Sequence, residues 1–211
     1  KVLITAGPTY EAIDPVRFIG NHSSGKMGFE IATTAANLGA EVILITGPTH
    51  QQITHSLVKV VPVTSADEMF NKVHEYYEVV DVAILSAAVA DYRPKYISDK
   101  KIKKQESTLT LELEKTKDIL ASCGEKKTKQ ILVGFALETN NEVQNAIGKL
   151  KKKNLDLIVL NSLNDKGAGF GGTTNKVSII DKEEQITNYS LKSKAEVAED
   201  IMNTILTLID A

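Results

Sequence analysis

Asp81-Val82-Ala83-Ile84-Leu85-Ser86-Ala87 is a nearly continuous apolar run with a charge before it and small residues at its end. A strand apolar on both sides needs cover above and below, which is the condition at the centre of a parallel sheet. Working outward, similar runs recur at Val2–Ala6, Glu41–Thr46, Leu57–Val63, Ile131–Phe135 and Leu155–Leu160. Helical spacing falls between them. Met27–Leu38 has it, with Gly39 as a stop. Ser65-Ala66-Asp67-Glu68 opens a helix with amino-terminal capping signals, running to about Val79. Glu142–Lys153 is another, and Ala195–Ile209 closes the chain as an amphipathic helix. Val177–Ile180 and Ile186–Tyr189 read as a terminal antiparallel pair. Strands alternating with helices imply a parallel sheet covered on both faces. The expected fold is α/β: a Rossmann-like, doubly wound, mostly parallel sheet with an antiparallel carboxyl-terminal edge, in a single domain over 1–211.

One segment breaks the rhythm. Tyr92–Lys115 lies between strand and helix and is too long for an ordinary βα loop. Its second half, Ser107–Glu114, alternates apolar and polar residues and reads as a strand in a projecting β-flap. Long excursions beyond central strands serve sites more often than cores.

The chain has 211 residues, 42% hydrophobic and 25% charged, which suits a soluble globular domain with one sizeable core. A net charge of −2 supplies no overall field for nucleic acid or membrane. Lysines nonetheless cluster at Lys100, Lys101, Lys103 and Lys104, and again at Lys149, Lys151, Lys152 and Lys153. The plain reading of such runs is a solvated face. Cys123 is the single cysteine, so neither an intrachain disulfide nor a cysteine-based zinc site is available, and a reducing, cytoplasmic setting is expected. His22, His50, His55 and His74 lack metal-ligand spacing. No run is long enough to span a membrane, and no signal peptide is visible. The first residue is Lys1 rather than Met, so the chain reads as a piece of a longer or processed protein.

Gly20-Asn21-His22-Ser23-Ser24-Gly25-Lys26-Met27 nearly fits the phosphate-binding loop G-x-x-x-x-G-K-[ST]. It fails where Met27 replaces the hydroxyl that holds Mg²⁺. It also begins a dozen residues after its strand rather than at once. The dinucleotide fingerprint G-x-G-x-x-G is absent, and the second strand ends in Thr46-Gly47-Pro48 rather than an acid. Polar clusters instead follow the first, fourth, fifth and sixth strands on the edge where open α/β sheets bind ligands. They are Gly7–Gly25, Ala87–Pro94 leading to Lys101–Lys104, Gly134–Asn140, Asn161, and the glycine-rich Gly167–Asn175. Alone, each is weak: Arg17 reads equally as a surface ion pair, Asp91 as a turn cap. Together they suit a triphosphate and a small carboxylate, because helix amino termini bind phosphate oxygens and lysines neutralise a leaving pyrophosphate.

Asp14–Gly28, Ala87–Arg93, Lys101–Lys104, Gly134–Asn140 and Lys153–Asp156 stand in an order and spacing that resembles bacterial phosphopantothenate–cysteine ligase over nearly the whole chain. In many bacteria that ligase is the carboxyl-terminal half of a bifunctional flavoprotein of coenzyme A biosynthesis, whose flavin decarboxylase half is not in this chain. The resemblance implies a homodimer using CTP and Mg²⁺. The carboxylate of 4′-phosphopantothenate would attack the α-phosphate of CTP, and the amine of L-cysteine would then displace CMP from the acyl-cytidylate.

It also implies roles. Asn21 would donate to the oxyanion formed as cysteine attacks, against the plain reading of a turn residue. Arg17 would clamp a substrate anion. Lys101 would contact the triphosphate from a flap that closes and excludes water. Ala87, Ala88, Asp91, Lys117, Asp118, Ile119, Leu120, Phe135, Lys149 and Lys153 would meet CTP, with Lys149 and Lys153 sharing a helix face at i,i+4. Ser23 and Ser24 would take phosphate oxygens. No set of Mg²⁺ ligands is implied. The competing readings are an NAD(P)-dependent oxidoreductase or another Rossmann-like nucleotide-binding module, a phosphate-loop NTPase disfavoured by Met27, and a structural role that leaves the lysines and flap unexplained.

Overall fold

The structure, a computed structural model, describes residues 1–103, 108–162 and 172–210. The main sheet among these residues has eight strands: β1 Val2–Ala6, β2 Val42–Thr46, β3 Val58–Pro62, β4 Val82–Leu85, β5 Ile131–Glu138, β6 Leu157–Ser162, β7 Val177–Asp181 and β8 Ile186–Asn188. The helices are α1 Lys26–Asn37, α2 Ala66–Tyr76, α3 Ile119–Lys126, α4 Glu142–Lys152 and α5 Lys194–Ile209. Across the sheet the order is β3-β2-β1-β4-β5-β6-β7-β8. The first six strands are parallel, and β7 and β8 add the antiparallel edge. This is the doubly wound order expected from the sequence, with its switch point between β1 and β4.

β4, the apolar run of the opening, pairs with β1 on one side and β5 on the other, and all four of its residues are buried. Alternate residues of β1 divide the core. Val2, Ile4 and Ala6 face the cluster that includes Phe29, Ile31, Val197 and Ile201 of α1 and α5. Leu3 faces the cluster of α2, α3 and α4, including Met69, Leu120 and Leu150. So α1 and α5 pack together on one face, and the other three helices lie on the opposite face.

Local chemistry sets the helix ends. Ser65 and Glu68 form a reciprocal capping box at α2, and Ser193 and Glu196 form another at α5. At the end of α1, Gly39 has φ 90°, its N–H donates to Ala36, and the Ala40 N–H donates to Ala35. That is a Schellman stop, as the glycine predicted. At the start of α1, Gly28 allows close packing on β1, since a Cβ there would lie 2.6 Å from the Cβ of Ala6. Among the described residues no helix is long and apolar enough to cross a membrane.

Two expectations are corrected. The strand expected over Ser107–Glu114 is only Leu113–Lys115, paired with Tyr92–Pro94; 108–112 form no strand, and Ser107 lies outside the described residues. Alternation yields a strand where one face is buried. Here Leu109 and Leu113 are 55% and 44% exposed, so no core selects that face. β5 runs three residues beyond Phe135, because β6 pairs with it as far as Glu138.

Candidate active site

A cleft of about 800 Å³ opens at the carboxyl ends of β1, β4, β5 and β6. It straddles the switch point, so it has two banks. One is built by the loop before α1, by the start of α5, and by Asn161 and Asn175. The other is built by the start of α3 and the carboxyl-terminal half of α4. Six lysines (Lys26, Lys115, Lys117, Lys149, Lys153, Lys194) and two carboxylates, Asp91 and Asp118, are among its lining residues. That balance suits an anionic ligand.

The first bank is held to the strands by polar bonds. Ser86 Oγ donates to the Thr5 carbonyl at 2.6 Å, and the Ala87 N–H donates to Thr5 Oγ1. Asn21 Nδ2 donates to the Ala88 carbonyl at 2.9 Å and to Val89 at 3.3 Å, so this side chain crosses from the loop before α1 to the turn after β4. Ser23 Oγ accepts from the Gly25 N–H, and Thr49 Oγ1 donates to the Ser24 carbonyl. Gly25 caps α1 with φ 78°, and a Cβ there would sit 3.2 Å from the backbone of Gly7. It supplies no side-chain cap, and the first turn carries no acid. Lys26, Met27 and Gly28 therefore bring uncapped first-turn N–H groups to the cleft, an arrangement that binds phosphate. Met27 packs against the core beneath, which explains an apolar residue where a phosphate-loop enzyme has a hydroxyl.

On the second bank, Asp118 caps α3 by accepting from the Ala121 N–H at 2.9 Å and pairs with Lys153 Nζ at 2.6 Å. Burial works to raise the Asp118 pKa. The hydrogen bonds from Lys153 and Ala121 and the charges of Lys153 and Lys149 outweigh it and hold the group below its ordinary value. Lys149 Nζ donates to the Phe135 carbonyl at 2.7 Å. Burial, and then the neighbouring Lys153, pull its pKa below the usual lysine value, with Glu138, Asp118 and Asp91 opposing. The i,i+4 pair thus does share a cleft-facing side. Ala87, Ala88, Asp91, Ile119, Leu120 and Phe135 also line the cleft. Lys117 lines it too, while its ammonium pairs with Asp67 at 2.7 Å and lies over the Phe70 ring.

Arg17 and Lys101 are not among the residues lining the cleft. Arg17 is paired with Asp14 and donates to the Ile102 carbonyl at 2.9 Å. The same Asp14 carboxylate accepts from the N–H groups of Val16, Arg17 and Ile102. Asp14 and Arg17 together latch the excursion to the hairpin of Tyr10–Ala12 and Phe18–Gly20. Lys101 is exposed beside that latch, and Lys104 lies outside the described residues, as do Gly167–Gly171.

The Arg17 guanidinium holds the Asp14 carboxyl well below the usual carboxylate range. The latch's contribution is therefore full above the unfolded carboxylate pKa, near 4. It is lost only as pH falls toward the depressed folded value. Asp14→Asn should open the latch at neutral pH, and trypsin should then cut after Lys100, Lys101 or Lys103 faster than in the parent chain. Equal cleavage rates would mean that other contacts hold the excursion.

Sequence reasoning found Asn161 and Asn175 as parts of loops without roles; the structure sets Asn175 Nδ2 3.4 Å from Asn161 Oδ1 at the cleft wall. Lys194 was missed. Its signal was a lysine at the first position of a capped apolar helix, an unfavourable end for a cation. Among the described residues no group of three His, Cys, Asp or Glu could hold a metal ion.

Residues 1–209 match the family model described as the DNA/pantothenate metabolism flavoprotein C-terminal domain. A protein named cysteine/cysteine sulfinic acid decarboxylase, from an unknown prokaryotic organism, is 53% identical over 99% of this chain and 58% of its own length. The coenzyme A biosynthesis bifunctional protein CoaBC of Bacillus subtilis is 49% identical over 98% of this chain and 51% of its own. The chain thus spans between half and three-fifths of these relatives. The crystal structure of the C-terminal domain of a CoaBC protein superposes with a TM-score of 0.84 at 46% identity, covering 100% of this chain and 96% of that one.

Proposed function

Because the chain belongs to the DNA/pantothenate metabolism flavoprotein C-terminal domain family, we propose that it is a phosphopantothenate–cysteine ligase of coenzyme A biosynthesis, driven by CTP. The observation that carries this reading is the cationic, two-banked cleft at the switch point, lined by most of the residues that the resemblance singles out. A carboxylate is a poor acyl donor until its oxygen becomes a good leaving group, and a cytidylyl ester supplies one. The site must therefore bring two anions together against their repulsion, which six lysines and a helix amino terminus favour.

On this reading the nucleotide lies along the second bank, with Phe135 and the Ala87-Ala88 turn against the base and sugar. Lys149, Lys153 and Lys117 carry its charge. The phosphates extend toward Ser23, Ser24 and the start of α1. The carboxylate of 4′-phosphopantothenate attacks the α-phosphorus, and the bond to pyrophosphate breaks. The cysteine amine then attacks the acyl carbon, Asn21 donates to the oxygen that becomes negative, and CMP leaves. Lys101 acts from the excursion, which closes and keeps water from the acyl-cytidylate, and Arg17 clamps a substrate anion from the hairpin to which the excursion is latched. Mg²⁺ commonly binds through one or two carboxylates plus substrate phosphates. Asp91, exposed at the cleft, fits that donor set, and the ion would neutralise the departing pyrophosphate.

The decarboxylase activity in the name of one of these longer relatives would belong to the portion this chain does not match. A homodimeric, cytoplasmic enzyme is part of the same proposal. An NAD(P)-dependent oxidoreductase is less well supported, because β2 ends at Thr46 with no acid to receive a ribose and the glycine fingerprint is missing.

Pyrophosphate release by the purified chain, with 4′-phosphopantothenate, Mg²⁺ and either CTP or ATP, tests the proposal. CTP-dependent release, with phosphopantothenoylcysteine appearing only when cysteine is added, is the expected result. Release with ATP alone would overturn the choice of base. No release with either nucleotide, in a folded protein, would return the chain to the nucleotide-binding modules.

A further inference from the structure

The turn after β4 binds nearly all of its backbone groups internally. The Ala87 N–H donates to Thr5 Oγ1 at 3.2 Å, the Ala88 N–H to the Gly7 carbonyl at 2.9 Å, and the Ala90 N–H to Thr9 Oγ1 at 3.0 Å. The carbonyls are used as densely. Ala88 accepts from Asn21 Nδ2 and from the Thr9 N–H, Val89 accepts from Asn21 Nδ2, and Ala90 accepts from Thr116 Oγ1 at 2.6 Å. Among the described residues the Val89 N–H, alone of the amides from Ala87 to Ala90, has no acceptor. Folded chains leave few amides in that state. Val89 is half-buried and lines the cleft, and its side chain packs on the core beneath α2, α3 and α4. The Ala88 carbonyl and the Val89 N–H belong to one trans peptide, so they point in opposite directions. The carbonyl meets Asn21 of the first bank, and the N–H therefore faces away from that bank. Two bonds accepted at the carbonyl polarise the peptide and strengthen its N–H as a donor.

We propose that the Val89 N–H is a catalytic donor, holding a non-bridging oxygen of the nucleotide's α-phosphate during the first half-reaction. This rests on the ligase reading, with the nucleotide along the second bank. As the substrate carboxylate bonds to the α-phosphorus, the bond to pyrophosphate breaks and its electron pair leaves with pyrophosphate. The non-bridging oxygens carry charge through that step, and a donor fixed beforehand stabilises it without reorganising. No proton is transferred. Lysine side chains follow a phosphate as it moves, whereas an amide locked by its neighbours favours one geometry. The two sides of one peptide then serve the two half-reactions: its N–H the release of pyrophosphate, and Asn21, on the carbonyl side, the attack of cysteine.

The test removes this N–H and keeps the side chain. Nonsense suppression in the full chain replaces Val89 with its α-hydroxy acid, which puts an ester oxygen where the N–H was. An ester also weakens the preceding carbonyl as an acceptor, so the same exchange at Ala90 is the control. It deletes the N–H bonded to Thr9 and weakens the Val89 carbonyl that Asn21 uses. In single turnovers with CTP and 4′-phosphopantothenate, the Val89 ester should release pyrophosphate about 10²-fold more slowly than the parent. The Ala90 ester should slow it about 10-fold at most. Equal slowing by both esters, or a Val89 ester that slows only the cysteine step, overturns the proposal. Amide proton resonances of the unmodified chain give a second readout that needs neither turnover nor a folded ester. The Val89 proton should move downfield on adding CTP and stay near its free position with cytidine, which has no phosphate. A chain that binds CTP and shifts the Val89 proton, yet releases no pyrophosphate, keeps the donor and overturns the ligase reading. CTP bound without a shift at Val89, or no binding of CTP at all, overturns the donor.

Discussion

Asn21→Asp should slow formation of phosphopantothenoylcysteine by about 10²–10³, the usual effect of losing one oxyanion donor. The substitution keeps size and shape and touches no core residue, so its effect is confined to the polar contacts of this loop. It replaces the amide nitrogen, now bonded to the Ala88 and Val89 carbonyls, with an oxygen that both carbonyls repel. The side chain then loses its anchor across the switch point, and a negative charge enters where negative charge must develop. The two half-reactions should respond unequally. On the proposed mechanism the oxyanion that Asn21 would stabilise forms only as cysteine attacks, so ligation should fall further than the first release of pyrophosphate. Single-turnover measurements of both products separate these steps. Product made at nearly the parent rate would remove Asn21 from the chemistry and leave it as a turn residue.

The core strands and helices were legible because their signals are local. β4 is apolar on both faces, Gly39 ends α1, and Ser65 with Glu68 starts α2. Each feature names a conformation that its neighbours cannot override cheaply. The flap was less legible, because the alternation in Ser107–Glu114 specifies a strand only when one face is covered, and Leu109 and Leu113 remain exposed. The site divides in the same way. Asn21, Lys149 and Lys153 lie within motifs that resemble the family's, so the resemblance brought them forward, with the i,i+4 spacing adding a shared face for the two lysines. Lys194 lies on the last helix, far in sequence from Lys26, and nothing local says that α5 returns to pack against α1. Arg17 shows the converse. The resemblance implied an anion clamp, while the anion beside it in the fold is Asp14 from its own loop, the ion pair that its residue type alone suggested.

Gly124→Ala should lower stability more than any surface change on the second bank and should weaken CTP binding as well. Gly124 lies in α3, where an added Cβ would stand 1.9 Å from the Lys153 carbonyl oxygen, a backbone atom that cannot rotate away. The Asn154 amide donates to the Gly124 carbonyl at 3.1 Å from the same turn, so α3 and the end of α4 are joined here at close range. Overpacking of this severity belongs at the upper end of the common range, about 3 kcal/mol. For a chain of this length that lowers Tm by about 6–12 °C. Relief requires α3 and the end of α4 to move apart, and that motion separates Asp118, the cap of α3, from Lys153. Affinity for CTP should therefore fall along with Tm. Gly148 supplies the internal comparison. It lies within α4 with no atom inside 4 Å of an added Cβ, so Gly148→Ala should stabilise the chain by about 0.5–1 kcal/mol through helix propensity alone. Thermal melts of the two variants should move in opposite directions. If Gly124→Ala melts with the parent chain, the close approach of α3 to Lys153 does not govern this bank of the cleft.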